Sequence, residues 1–213
     1  MQTQTCFLLS YLKYGDNDAI LHCFCSENGF QSFFAKGIYA AKNKKKPYLF
    51  PLNLLNITIT KVVSDQKIAR ISKIELAPDH YTFDDVAMNT ILFFTADFLH
   101  QVLREEGKNP VLFEQILKVR KEISMQNYDA YLVFILQFLT ISGIAPFSED
   151  KKFLNSESGL FEEVMANPIF DEKFSALWKI FLRHENAYEL RLKRDERSVF
   201  LDSLMIYCHI HIT

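Results

Sequence analysis

The stretch TCFLLSYLKYGDNDAILHCFCSENGFQSFFAKG, residues 5–37, decides the fold. Thr5–Tyr14 is rich in aromatic and apolar residues and reads as a first strand. Gly15-Asp16-Asn17-Asp18 then supplies turn chemistry. Ala19–Ser26 reads as a second strand, with Cys23 and Cys25 on one face of it. Glu27-Asn28-Gly29 is a hairpin signal, because Asn-Gly accepts positive φ. Phe30–Lys36 returns as a third strand that ends at Gly37. Residues 38–48 form a polar, lysine-rich connection. Leu52–Val63 alternates through Leu55, Ile57, Ile59 and Lys61. Ser64-Asp65-Gln66 turns the chain, and Ile68–Leu76 alternates again through Ile68, Arg70, Ser72 and Ile74. Strands this short and this closely spaced predict a small closed barrel, since closure removes exposed sheet edges. A five-stranded oligonucleotide-binding (OB) barrel fits, and so does an SH3-like barrel. Counting strands does not separate them.

After Ala77-Pro78-Asp79 the apolar period changes from two to between three and four. Phe83, Val86, Ala87, Ile91, Phe94, Phe98 and Val102 predict the apolar stripe of a helix that ends near Gly107. Asn109-Pro110 starts the next, with Asn as cap and Pro in the first turn; its stripe is Leu112, Phe113, Ile116, Leu117 and Ile123. Asn127 opens a third helix, almost wholly apolar, that runs to Gly143. Residues 144–166 read as irregular. Asn167-Pro168 repeats the cap signal for a helix carrying Phe170, Phe174, Leu177, Trp178 and Phe181. A last helix spans Arg194–His209, with Val199, Leu201, Leu204, Met205 and Cys208 facing inward. The class is therefore α+β, with a barrel over residues 1–78 and a helical domain over 79–213.

Composition excludes several classes. The chain has 213 residues, 49% hydrophobic and 23% charged, which are globular and not disordered proportions. Its net charge of -2 argues against a polyanion partner, yet the average conceals an asymmetry. Residues 1–75 carry ten basic and five acidic side chains, and the remainder 14 basic and 21 acidic. A split of +5 against -7 is a hint of a polyanion-binding face on the first part. The six glycines, at 15, 29, 37, 107, 143 and 159, form neither a dinucleotide fingerprint nor a Walker A loop. The N-terminus has no charged lead before its apolar patch, so no export signal is expected. The longest uncharged run, Ala130–Phe147, contains Gln137, Thr140, Ser142, Gly143 and Pro146; it reads as a helix buried among others and not as a membrane span.

Chemistry-bearing constellations are sparse. The cysteines, Cys6, Cys23, Cys25 and Cys208, include a C-x-C but no second pair, so reduced, partly buried thiols are expected and no metal site. His209-x-His211 lies at the chain end and reads as frayed surface histidines. Asp84-Asp85, Glu105-Glu106, Glu162-Glu163 and Asp195-Glu196 fall at helix ends or in loops, where helix dipoles explain them without catalysis. No H-E-x-x-H or G-x-S-x-G is present, so no enzyme is expected, although a triad dispersed along the chain would leave no local trace. The strongest signal is Lys42-Asn43-Lys44-Lys45-Lys46, preceded by Lys36 and flanked by Tyr39 and Tyr48. Lysines bind phosphates as mobile point charges, and tyrosines stack on bases of a single strand. The alternative is a solvated loop on a protein-interaction adaptor.

Tyr14-Gly15-Asp16-Asn17-Asp18, Ile20, Glu27-Asn28-Gly29, Ala35-Lys36-Gly37, the basic run at 42–46 and Phe50-Pro51-Leu52 together resemble the N-terminal domain of the RecO family of bacterial recombination mediators. Phe200-Leu201-Asp202-Ser203-Leu204, Tyr207 and His211-Ile212 resemble its closing helix, so the likeness spans nearly the whole chain. The resemblance implies an N-terminal OB-fold barrel followed by an all-helical C-terminal domain. It implies a cytoplasmic, nucleoid-associated protein without cofactor, which binds single- and double-stranded DNA and anneals complementary strands. It further implies work with RecR, often with RecF, to load RecA onto strands covered by single-stranded DNA-binding protein (SSB), whose acidic, apolar C-terminal tail docks on the helical domain. Lys36, Lys42, Lys44, Lys45 and Lys46 match the family's basic segment and are assigned to phosphate contact. Lys13 and Arg70 are added from their strand positions, and Tyr39 and Tyr48 as base-stacking neighbours. Arg191, Lys193 and Arg194 are candidates for the tail's carboxylates, or partners of Glu189 and Asp195. Many members carry a four-cysteine zinc module in the helical part, but residues 143–161 contain no cysteine. Phe147, Phe153, Leu154, Leu160 and Phe161 are expected to pack where that metal would brace the loop. Metal analysis of the purified protein should find no stoichiometric zinc; a one-to-one ratio would defeat the expectation.

Overall fold

A computed structural model describes residues 2–60, 68–78, 81, 83, 85–147 and 150–212. It divides into two compact units, residues 1–124 and 125–213. Five strands form the first part: β1 Gln2–Tyr14, β2 Asp18–Cys25, β3 Gly29–Ala35, β4 Leu54–Ile59 and β5 Ala69–Leu76. They close as a barrel in the order β1-β2-β3-β5-β4. All pairings are antiparallel except β3 with β5, which is parallel. That crossed order is the Greek-key closure of an OB barrel, and it decides between the two architectures that strand count leaves open. The end of the predicted fourth strand at 61–63, the turn at 64–66, Lys67 and Asp84 lie outside the described residues.

Alternation sorts each strand. Cys6, Leu8, Leu21, Cys23, Cys25, Phe33, Leu55, Ile57 and Ile74 point inward and form the barrel core. Its small members, Ala19, Ala35 and the thiols, suit the narrow interior of a small barrel. The three barrel thiols are fully buried and free, not partly exposed. Burial pushes Cys6 and Cys23 well above an ordinary thiol pKa, which leaves them protonated and inert.

Two helices pack with the barrel in the first unit: α1 Val86–Val102 and α2 Pro110–Ser124. Asp85 caps α1 through Ala87 N–H at 3.0 Å. Asn109 caps α2 through Leu112 N–H at 3.0 Å, with Pro110 in its first turn as expected. The buried side of α1 is Met88, Leu92, Thr95, Ala96, Phe98 and Leu99, rotated from the expected stripe; Val86 is exposed. The helix is apolar nearly all round, so periodicity did not fix which side faces the barrel. α2 buries Val119 and Arg120 where Leu117, only half-buried, was expected. The Arg120 guanidinium lies over the Phe7 and Tyr81 rings at 5.6 and 5.5 Å, a desolvated cation–π contact.

In the second unit α3 Ala130–Ile141 is buried almost all round. Asn127 does not cap it. Its amide donates to Tyr188 O, and its oxygen accepts from Asp129 N–H. The buried Asp129 carboxylate takes Arg197 Nε at 2.5 Å and Leu192 N–H at 3.2 Å. Asn167 caps only a 3-10 turn, Pro168–Phe170, and Asp171 caps the following α4 Glu172–Arg183. The last helix, α5 Arg194–His211, buries Phe200, Ser203, Leu204, Tyr207 and Cys208; Val199, Leu201 and Met205 are half-buried.

Residues 144–166 are not wholly irregular. β6 Phe153–Asn155 pairs with β7 Leu160–Glu162. Leu154 and Phe161 are fully buried, whereas Phe147 is 74% exposed and Leu160 39%, so those two do not brace the loop as expected. Hydrogen bonds do. Tyr207 donates to Ile144 O at 2.9 Å, Ser175 accepts from Leu154 N–H at 2.9 Å, and His211 Nε2 sits 2.7 Å from Ser156 O. His211 also stacks on Tyr207 at 4.2 Å, so it is held and not frayed. Among the described residues no group of three or more metal-ligating side chains occurs, and no helix is long and apolar enough to cross a membrane.

Gly29 has no room for a side chain. Its φ is +72°, and a Cβ there would lie 2.2 Å from Gly107 O and 2.3 Å from Glu106 O. Phe30 N–H donates to that same Glu106 carbonyl at 2.9 Å. Both the backbone angle and the space therefore require glycine. Gly29→Ala should cost about 2–4 kcal/mol, read as a lower denaturant midpoint. An unchanged midpoint would mean that the close approach is not present in solution.

Candidate nucleic-acid interface

The connection from β3 to β4 crosses the end of the barrel. Ile38 and Leu49 insert into the core from its two arms, so the loop is pinned at both ends by apolar burial. Between them polar groups fold it. The Asp18 carboxylate accepts from Gly37 N–H at 2.6 Å, and Tyr39 N–H donates to Asn17 O at 2.9 Å; both contacts tie the loop to the β1–β2 turn. Asn43 organises its middle. Its amide donates to Gly37 O at 2.9 Å, and its oxygen accepts from Lys45 N–H at 2.9 Å. A 3-10 turn, Lys46–Tyr48, follows, and the Asn53 amide donates to Tyr48 O.

This scaffold leaves the ammonium groups outward. Lys36, Lys42, Lys44 and Lys46 are exposed and Lys45 half-buried. Among the described residues none of the five enters an ion pair. Lys42, Lys44 and Lys45 line an open concavity of about 550 Å³ together with Gly37, Ala40, Asn43 and Tyr48. Tyr39 is half-buried against the core, with Lys13 Nζ 5.9 Å from its ring centre. Burial and the neighbouring Tyr11 hydroxyl push the Tyr39 phenol up, so it is neutral at physiological pH. Lys13, Tyr39, Tyr48 and the lysine run thus share one end of the barrel.

Arg70 stands apart from that concavity. It lies on the outer face of β5, in register with Phe34 of β3. Phe34 in turn meets Tyr14 edge-on, with ring centres 5.9 Å apart; Tyr14 is 58% exposed. These aromatics escaped the sequence reading, although Phe33-Phe34 held the signal: adjacent residues of a strand face opposite ways, so one ring of the pair had to point out. Asn43 escaped it too, because its role is visible only in the folded loop. Of the cations considered for the helical unit, Arg191 donates to the carbonyls of Tyr188 and Leu190. Lys193 heads α5, where its N–H donates to the Glu196 carboxylate at 3.1 Å.

A Greek-key barrel with an unpaired cationic end and aromatic rings on its outer face defines an OB-fold protein with a surface suited to polyanions. The family profile described as Recombination protein O N terminal matches residues 1–78. The DNA repair protein RecO of Flavobacterium psychrophilum is 27% identical over 100% of the chain and 93% of its own length. Those of Flavobacterium johnsoniae and Phocaeicola vulgatus are 26% and 28% identical over 95% and 90% of the chain, and over 93% and 78% of their own lengths. The first 78 residues thus match the RecO N-terminal family, and the chain is similar to RecO DNA repair proteins along nearly its whole length.

Asn43→Ala removes two hydrogen bonds from a surface loop and none from the core. It should shift the denaturation midpoint by less than about 1 kcal/mol while speeding tryptic cleavage within 42–46 several-fold. Equal cleavage rates for the two proteins would show that Asn43 does not order the loop.

Proposed function

We propose that this protein is a non-enzymatic DNA-binding mediator of recombination that anneals single strands. In this reading it works with RecR, and with RecF where that protein takes part, to load RecA onto SSB-coated DNA. The observation that carries the reading is the set of five lysines, without acidic partners among the described residues, held over the end of an OB barrel. Lysines fixed in place by loop folding, but free in their ammonium groups, neutralise phosphates and release counterions. Screening two strands at once lowers their repulsion and lets bases pair. Lys36, Lys42, Lys44, Lys45, Lys46 and Lys13 meet phosphates; Tyr39 and Tyr48 stack on bases; Arg70 reaches a phosphate across the outer face. The assignment extends to double-stranded DNA through the same phosphate chemistry and requires no cofactor. The SSB tail, acidic and apolar, is the partner assigned to the helical unit.

Replacing Lys42, Lys44, Lys45 and Lys46 together by Ala should weaken single-strand binding at least tenfold at low salt. The log–log salt slope should fall by up to about 3, since each lost phosphate contact removes roughly 0.7. Fluorescence anisotropy at several salt concentrations reads both. Annealing of SSB-coated complementary strands should fall in parallel. Binding that is absent or insensitive to salt would favour an adaptor whose lysines only solvate the loop.

A further inference from the structure

The outer face of the barrel does not end at Phe34. Along β3 the outward residues are Phe30, Ser32 and Phe34, and beside them on β2 lies His22, in register with Ser32. At the Phe30 end three rings gather. His22 and Phe30 are 6.0 Å apart with planes 13° from parallel. His100, from the last turn of α1, is 5.1 Å from His22 and 6.0 Å from Phe30, at 31° and 28°. The His22 ring is fixed by a 2.9 Å contact between Nδ1 and Ser32 Oγ. The cluster is closed from below by the Phe30 N–H bond to Glu106 O. Arg104, just beyond α1, is exposed, makes no ion pair among the described residues, and sits close enough to lower both histidine pKa values, after burial as the larger cause for each. Asp97 opposes it only at His100.

These rings are not needed to dock the helices. Phe7, Phe24 and Phe113 do that, with ring centres 4.7 and 6.3 Å from Phe113 and every ring buried. His22, Phe30 and His100 are instead half-exposed. Three half-exposed rings within about 6 Å of one another, two pairs of them stacked and the histidines tilted by 31°, offer π-surface to an unpaired base, and the guanidinium beside them offers a cation to its phosphate.

We infer that His22, Phe30, His100 and Arg104 form a second contact for single-stranded nucleic acid, so that a strand leaving the lysine loop runs down the outer face of β2–β3 and ends on α1. Phe30 and Phe34 are four residues apart on one strand, about 13 Å. Both therefore fall inside the ~4–16 nucleotide footprint of a single OB barrel. The inference rests on the DNA-binding reading above and deepens it by giving the strand a direction and an end.

Affinity of the full chain for oligothymidylates of increasing length separates the two. The wild type should gain affinity with length up to a plateau. His100→Gln combined with Arg104→Gln should leave the shortest strands unaffected, lower the plateau affinity about tenfold, and reach it at a shorter length. The lysine-loop variant should instead lose affinity at every length. Arg104→Glu, at an exposed position, serves as a second variant, and thermal melts confirm that each protein is folded. A strand carrying 5-iodouracil should photo-crosslink to Phe30 or His22. A folded double variant with an unchanged plateau would overturn this contact alone. A wild type that binds no strand would overturn it together with the DNA-binding reading.

Discussion

The closure of the barrel constrains everything that follows it. Among the described residues β3 pairs with β5 through Phe33 with Ala69 and Phe34 with Arg70, while β4 pairs with β1 on the opposite side. The chain leaving β3 therefore cannot turn back in a hairpin. It must travel over the barrel end to reach β4, and the residues it uses for that journey are 36–53. An OB barrel thus obliges this chain to keep a long connection at its open end. Ile38 and Leu49 make that connection part of the core. What the closure leaves facing water is Lys36, Lys42, Lys44 and Lys46. The same two residue pairs bring Arg70 beside Phe34, so a single short pairing sets both the cationic end and the aromatic outer face.

A second constraint meets the first at Gly29. The hairpin between β2 and β3 has no room for a side chain because the chain at 106–107 passes against it. That contact fixes where α1 ends relative to the sheet. It puts His100 and Arg104 at the foot of the β2–β3 face, next to His22 and Phe30. Apolar docking through Phe7, Phe24 and Phe113 supplies the adhesion, whereas the glycine supplies the position. Hydrophobic burial is non-directional, so a flat barrel face and an apolar helix would tolerate several alignments without such a steric stop.

Legibility in the sequence followed the same physics. The first three strands could be read because each is bounded by residues with a backbone reason to turn: Gly15, Gly29 and Gly37 all sit at positive φ; the last two of the five could be read from their alternation. Their order could not be read, since period-two alternation is the same whichever strand lies alongside. Capping at Asn109 was legible because Pro110 followed it. At Asn167 the same dipeptide caps only a 3-10 turn, because Asp171 competes four residues on and takes the α-helix. The face of α1 was hidden by its apolar excess, and the β6–β7 hairpin by strands of three residues each, too short to alternate. The lysine run stood out because charge needs no fold to be noticed. The cluster of His22, Phe30 and His100 did not, because His22 and Phe30 meet through the β2–β3 register and His100 comes from a helix much further along the chain, set against them by the close approach at Gly29.

The net charge of -2 then takes on a different meaning. The loop is held by Ile38, Leu49, Asp18 and Asn43, none of which is a lysine, and among the described residues its ammonium groups enter no ion pair. Stability and charge are therefore carried by different side chains of one segment. Such a separation lets the cationic end vary in strength without reshaping the core, because removing an unpaired surface ammonium leaves no buried partner behind. It also explains why five neighbouring lysines are tolerated at all. Their mutual repulsion acts on flexible stems in water, where screening over about 10 Å is effective, and not on the backbone that Asn43 keeps in place. A whole-chain average measures neither property. Where the charge is mounted, and on what, decides what the barrel can bind.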